Sequence, residues 1–264
     1  VASRQAKREL STARYNVERE RVFEGTAMLP GYKLIHWRMI AYMEKIGCDS
    51  RRMRTIHNSL DTSLQTKIYS TLKPSSIFKE HFGNDNPVVI YIGRIQKRKK
   101  VEQIVESLLM GKKQGFEFNL VIVGLDQDNG SVLRMVEQYG LSKNVWFYGP
   151  CFDENVNAQL LYDSSVCVCP SEVGLTAIHA LSYGCPVISN DNFEKQMPEF
   201  ESIIEGKTGS FFRENDIEDL LNKIKYWCCL SETGRDKTRN DARKLILNEW
   251  SIDYQINVLK ELLK

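Results

Sequence analysis

The chain predicts a doubly wound α/β fold, and three observations carry that expectation. Between residues 86 and 189 short apolar runs recur at strand length, each bounded by glycine, proline or polar residues. Segments with a helical apolar period lie between them. The runs are continuously apolar rather than alternating, as strands buried on both faces must be, and that is the condition of a parallel sheet covered by helices. Repeated strand, helix, strand order then implies right-handed crossovers within one sheet.

The first run, residues 88–92, lies between Asn86-Pro87 and Gly93, and Val101, Ile104, Val105, Leu108 and Leu109 follow it at helical spacing. Residues 120–123 give a second strand ending at Gly124, before a helix over 132–139. Residues 145–148 give a third, ending at Gly149, before a helical stretch over 154–162. Residues 165–169 and 186–189 are the fourth and fifth, separated by a helix over 175–183. Beyond residue 216 the pattern is mostly helical, with Ile217, Leu220, Leu221 and Ile224 on one face and Ile252, Ile256, Leu259 and Leu263 on another.

Upstream of residue 72 a mostly helical segment is expected. Residues 4–23 are highly charged and read as a helix. Residues 32–46 are aromatic, Met-rich and amphipathic, and Gly47 is a good helix stop. Residues 54–58 read as one more strand, and Ser59-Leu60-Asp61 turns into a linker.

With 264 residues, 42% of them hydrophobic and 10% aromatic, the chain has enough apolar surface for a real core. The net charge of +2 hides an asymmetry: residues 1–56 hold 12 Lys/Arg against 6 Asp/Glu, and the remainder 24 against 28. The amino-terminal segment therefore faces something acidic or serves solubility. Seven cysteines form neither a disulfide framework nor a zinc spacing, so reduced thiols in the cytoplasm are expected. No apolar run approaches the ~20 residues of a membrane span, and the first 30 residues are too charged for a signal peptide. The segment over 32–43 is read as packing on the sheet, with peripheral contact to an anionic membrane as the second reading.

Three strand ends carry polar equipment, and ligands of a doubly wound sheet sit at the carboxyl ends of its strands. At the first, Gly93-Arg94-Ile95-Gln96-Lys97-Arg98-Lys99-Lys100, an arginine at the strand end and a lysine five residues on suit a diphosphate. Lys97 and Arg98 read as a solvated basic loop. At the second, Tyr148, Gly149 and Pro150 offer main-chain groups to a nucleobase edge. At the third, Pro170-Ser-Glu-Val-Gly-Leu-Thr-Ala-Ile-His leads from a strand into a helix. Unpaired amides and the positive end of the dipole near Gly174, Leu175 and Thr176 suit a phosphate, and Gly174 permits close approach. Glu172 can accept sugar or ribose hydroxyls, and His179 lies one turn along the helix from Leu175 and Thr176. The polar loop over 190–199 is placed to close the site.

Taken in order, Tyr-Ile-Gly-Arg-Ile with Lys99, Leu-Val-Ile-Val-Gly, Asn-Val-Trp-Phe-Tyr-Gly, Ser-Glu-Val-Gly-Leu-Thr-Ala-Ile-His-Ala-Leu-Ser-Tyr-Gly-Cys-Pro-Val and Pro-Glu-Phe-Glu-Ser-Ile resemble the donor-binding domain of retaining glycosyltransferases of family 4. The likeness covers roughly residues 54–212 and is nearest to a bacterial polysaccharide-type branch. It implies a Rossmann-like donor domain of the GT-B fold over 73–236, the remnant of an acceptor domain and linker over 1–72, and C-terminal helices over 237–264 that pack back on the amino-terminal part. It also implies a UDP- or GDP-sugar whose diphosphate lies against Arg94, Lys99, Gly174, Leu175 and Thr176, with Arg94 and Lys99 as the catalytic charges. The family pattern has two glutamates where this chain has Ser171 and His179. Ser171, Glu172 and His179 are therefore read as donor sugar or ribose contacts.

The activity implied is transfer of a sugar to a hydroxyl of a glycan or lipid-linked saccharide. No cofactor and no metal are expected, because fixed positive groups serve the leaving diphosphate and no Asp-x-Asp site is evident. The alternative is a non-catalytic nucleotide-sugar-binding subunit completed by another chain. A nucleic-acid partner is disfavoured, because the basic run over 96–100 is not interleaved with aromatics. A dinucleotide site is disfavoured because neither Gly93 nor Gly124 opens a G-x-G-x-x-G turn.

Overall fold

A computed structural model of the chain describes residues 53–262, together with 28–29, 32–35, 47, 49 and 51. Two compact units emerge, Val1–His57 with Gln255–Lys264, and Asn58–Tyr254.

In the first unit Met28–Leu29 (β1), Tyr32–Ile35 (β2) and Met53–Thr55 (β3) form a sheet in that order, β1 antiparallel to β2 and β2 parallel to β3. This corrects the reading of residues 32–35, taken from their apolar period as the start of a helix and found here as a strand. The ladder pairs Lys33 with Met53, Leu34 with Arg54 and Ile35 with Thr55. Such pairing across a sequence gap satisfies backbone groups in a way no local apolar period reveals. The strand read over 54–58 is realised as β3, whereas residues 4–23 and 36–46 lie outside the described residues.

The second unit opens with Thr62–Tyr69 (α1), capped by the Asp61 side chain, in place of the expected linker, and continues with Ile77–Phe82 (α2). The alternation then runs Val88–Ile92 (β4), Glu102–Lys113 (α3), Asn119–Val123 (β5), Ser131–Gln138 (α4), Val145–Gly149 (β6), Glu154–Asp163 (α5), Val166–Cys169 (β7), Leu175–Ser182 (α6), Val187–Asn190 (β8), Gly209–Phe212 (β9), Ile217–Cys228 (α7) and Glu232–Glu249 (α8). A last helix, Ile252–Leu262 (α9), begins in this unit and ends in the other. Each strand of the alternation pairs in parallel, in the order β6-β5-β4-β7-β8-β9, so a sixth strand extends the five read from sequence.

Successive residues of each strand go to opposite faces, which explains the unbroken apolar runs. Ile90, Val121, Cys167 and Val187 join Ile68, Leu160, Ile178 and Ile246 on one face. Val89, Leu120, Ile122, Val166 and Ile188 join Ile104, Leu108, Val136 and Leu221 on the other. Among the described residues no helix is long and apolar enough to cross a membrane.

Candidate functional site

The chain enters the large sheet at its centre. It runs outward through β5 and β6, then returns to lay β7, β8 and β9 on the other side of β4. The loops after β4 and β7 therefore leave adjacent carboxyl ends in opposite directions, and in open α/β sheets that divergence is where ligands bind.

Two glycines let the ends of β4 and β5 approach each other. Gly124 has φ +156°, and a Cβ there would lie 1.9 Å from the carbonyl oxygen of Gly93. The chain beyond Gly93 stays fixed to its neighbour, as the Ile95 amide donates to Leu125 O at 3.0 Å and Tyr91 Oη donates to Arg94 O at 2.8 Å. Arg94 is thus braced through its backbone, while its exposed guanidinium has no hydrogen-bonding or ionic partner among the described residues. Its basic neighbours differ. Arg98 pairs with Glu172, Lys99 Nζ lies 3.1 Å from Glu172 Oε1, and Lys100 Nζ lies 3.2 Å from Glu214 Oε1. Arg98, read from sequence as solvated, is an ion-pair partner across the switch point.

Glu172 is a clasp between the two loops. Its carboxylate accepts from Ser171 Oγ at 2.5 Å, and its main-chain carbonyl accepts from Lys99 Nζ at 3.1 Å. Burial opposes ionisation there, but the Ser171 hydrogen bond and the Lys99 charge outweigh it and hold the carboxyl below its ordinary range. Gln196 secures the same loop from beneath: its Oε1 accepts the Val173 amide at 2.8 Å, and its Nε2 donates to Asn190 O and Ser189 Oγ, both at 3.0 Å. The loop over 190–199, expected to close the site, thus supports the Ser171–Gly174 turn through a buried amide. Sequence reading passed over Gln196, since nothing in its own neighbourhood marks it.

Gly174 is the N-cap of α6 and, having no side chain, makes no cap bond. Helices α2, α3 and α4 likewise lack a side-chain cap, whereas side chains cap α1, α5, α7 and α8. The first turn of α6 meets the end of β4 directly, with Thr176 Oγ1 donating to Ile92 O at 3.4 Å. Beside it opens a cleft of about 390 Å³ lined by Leu60, Asp61, Leu64, Gln65, Glu154, Leu175, Thr176 and His179. Of the residues singled out from sequence, Leu175, Thr176 and His179 share this cleft. Arg94, Lys99, Ser171 and Glu172 stand on the loops at the same strand ends without lining it. Tyr148, Gly149 and Pro150 do not line it either: Gly149 O accepts the Gly124 amide at 2.9 Å, and Tyr148 packs on Trp146 with ring centroids 5.1 Å apart.

His179 has a partner that the sequence reading did not provide. Its Nε2 lies 3.0 Å from Glu154 Oε1, and Tyr183 Oη donates to the same oxygen at 2.6 Å. Burial again opposes ionisation, yet the bonds from His179, Tyr183 and Gln65 hold the Glu154 carboxyl below its ordinary range. No group of three or more His, Cys, Asp or Glu side chains placed to hold a metal occurs among the described residues.

A parallel sheet with this strand order, flanked by helices on both faces, is the Rossmann-like architecture of GT-B proteins. The family model described as Glycosyl transferases group 1 matches residues 73–245, and the chain belongs to that family. It is similar to the capsular polysaccharide biosynthesis glycosyltransferase CapM of Staphylococcus aureus, 25% identical over 179 residues, with 64% of this chain and 43% of the relative covered. It is also similar to the putative colanic acid biosynthesis glycosyltransferase WcaL of Escherichia coli (strain K12), 24% identical over 177 residues, with 61% of this chain and 42% of the relative covered. In fold it resembles Anabaena Alr3699/HepE, crystallised in complex with UDP. The TM-score is 0.67 at 16% identity, over 88% of this chain and 63% of that one. The chain spans about half the length of the curated relatives it matches.

Proposed function

We propose that this chain is the donor-binding part of a retaining glycosyltransferase of family 4. In this reading it moves a sugar from a UDP- or GDP-sugar to a hydroxyl of a glycan or lipid-linked saccharide during polysaccharide biosynthesis. The observation that carries the reading is the start of α6 at the switch point, open to a cleft, with the Arg94 guanidinium at the neighbouring strand end lacking a partner among the described residues. Relatives named for capsule and colanic acid biosynthesis, and a neighbour crystallised with UDP, favour the same class of donor and product.

The diphosphate would lie on the Gly174, Leu175 and Thr176 amides, with Arg94 forking onto its outer oxygens and Lys99 adding charge from the side. As the bond from the sugar carbon to the diphosphate oxygen breaks, the electron pair stays on the diphosphate. These groups then stabilise the transition state more than the ground state. Loss of one such donor typically costs ~3 kcal/mol, about two decades in rate. Because the charge is supplied by side chains and amides, transfer is expected to persist in a metal chelator. A cytoplasmic enzyme with a lipid-linked acceptor would meet the membrane surface peripherally, and salt-sensitive sedimentation with anionic liposomes tests that association.

The test of the reaction is transfer from UDP- and GDP-hexoses to a glycan acceptor, with the product anomer read by NMR. Retention of the donor configuration is expected, and an inverted product contradicts the retaining assignment. Nucleotide binding with neither transfer nor donor hydrolysis would favour a non-catalytic binding subunit instead.

A further inference from the structure

The cations of the β4 loop are not all free to meet a ligand. Arg94 has no partner among the described residues, but Arg98 and Lys99 both meet the carboxylate of Glu172. That carboxylate stands two residues before Gly174, where the β7 loop leads into the α6 amides. Its second oxygen accepts from Ser171 Oγ at 2.5 Å. Glu172, expected from sequence to face a sugar hydroxyl, is thus committed to the protein's own groups.

Arg98 is built into this contact. Its Nε donates to Gln96 Oε1 at 3.0 Å, and Gln96 Nε2 donates in turn to Gln127 Oε1 at 2.6 Å. A pair of amides reaching from the β5 loop therefore holds the guanidinium towards Glu172. The neighbouring Lys97 is exposed and has no partner among the described residues, as a solvated residue should. Arg98 remains half-exposed, so its other donors are within reach of a ligand. Lys99 is held twice, by the Glu172 carboxylate and by the Glu172 main-chain carbonyl, each at 3.1 Å. The carbonyl bond keeps Lys99 in place if the carboxylate leaves.

A carboxylate set between a guanidinium and an ammonium offers these cations what a phosphate would, a negative charge and paired acceptor oxygens. A nucleoside diphosphate carries more charge. Two anions beside the same cations repel each other, so the more highly charged one takes them. We infer that Glu172 is an internal stand-in for the donor's diphosphate, and that donor binding exchanges its carboxylate for the diphosphate on Lys99 and Arg98. Arg98 thereby becomes a third side-chain cation on the diphosphate, beside Arg94 and Lys99. The inference rests on the donor-site reading above and adds to it a residue that sequence alone left in solvent. In the free protein the cations are occupied, and apparent affinity is lowered by the fraction of molecules in which they are not yet free.

Inorganic diphosphate, the anion without base or sugar, is the probe that tests it, with UDP and GDP alongside. Affinities are measured by calorimetric titration of the whole protein in wild type, Glu172→Gln, Arg98→Gln and the double variant, with thermal unfolding to establish that each is folded. Glu172→Gln removes the competing charge and keeps an oxygen for Ser171, so affinity should rise at least about fivefold. Arg98→Gln should lower affinity at least about fivefold. The loss on removing Arg98 should be larger in the Glu172→Gln background, where no ion pair has to be given up first. A carboxylate that only orients the two cations has the opposite signature: weaker binding in Glu172→Gln, and a smaller Arg98 effect in that background. Either of those results in folded protein, or equal affinity in wild type and Glu172→Gln, overturns the exchange and leaves the donor reading standing. If Glu172→Gln does not fold, Arg98→Gln decides alone, and unchanged affinity there overturns the inference. Binding of none of the three ligands by any of the proteins overturns both.

Discussion

Lys99 Nζ lies 3.1 Å from the carboxylate of Glu172 and 3.1 Å from its main-chain carbonyl, so one lysine of the β4 loop holds both ends of a residue in the β7 loop. The pair is well shielded, with side chains 23% and 18% exposed. Lys99→Met is expected to cost about 1–2 kcal/mol in urea denaturation, since Glu172 keeps Ser171 and Arg98 as partners. Nucleotide affinity should fall at least tenfold, through lost charge and a loosened turn before Gly174. An unchanged affinity would make Lys99 a loop fastener only.

Two glycines at strand ends are expected to respond in opposite ways. Gly124→Ala forces a Cβ to within 1.9 Å of Gly93 O at a positive φ, and should destabilise the fold by at least about 2 kcal/mol. At Gly174 the nearest atom to a new Cβ is Met197 Cγ at 3.9 Å, an ordinary contact. Gly174→Ala should therefore leave thermal unfolding nearly unchanged while weakening nucleotide binding, because the methyl group stands before the α6 amides. Equal stability losses at the two positions would contradict a ligand-facing role for Gly174.

The six-stranded sheet was largely legible because burial on both faces leaves unbroken apolar runs, and each glycine strand end marks a turn. β9 escaped because Gly-Ser-Phe-Phe over 209–212 is too short and too mixed to stand out. α1 escaped because Thr62–Tyr69 carries little apolar period, although Asp61 supplies a recognisable cap. At the site the strand-end residues were found, since chemistry and position coincide in their local sequence. Glu154 and Gln196 were not, because each acts on a loop or helix more than 20 residues away. Their functions arise from packing and leave no local pattern. β2 shows the same limit in reverse, where residues 32–35, the start of a stretch with a helical period, pair in a ladder with β3.

Glu214 predicts a pH dependence. The Asn192 amide bonds to its carboxylate, and Lys100 and Lys195 add their own hydrogen bonds, against a smaller penalty from burial, so that its pKa falls to about 2. A folded-state value below the unfolded one of about 4.3 gives stability that is complete above that pH and lost as pH falls towards 2. These charges meet solvent, so the effect should be under about 1 kcal/mol and smaller in high salt. Denaturation at pH 7 and pH 3 should show Glu214→Gln less stable than wild type at the higher pH, with the gap reduced by roughly half at the lower. A constant difference at both would refute the assignment.

The central claim is that the Arg94 guanidinium, without a partner among the described residues, and the start of α6 form one diphosphate site. Its most direct test is calorimetric titration of UDP, GDP and ADP into wild type and Arg94→Ala, with thermal unfolding alongside. At least one nucleotide should bind wild type and, at 100 times its Kd, stabilise it by ~2.7 kcal/mol. Arg94→Ala should keep the wild-type unfolding temperature without ligand and bind at least tenfold more weakly. No binding by any of the three, or equal binding by both proteins, would contradict the account.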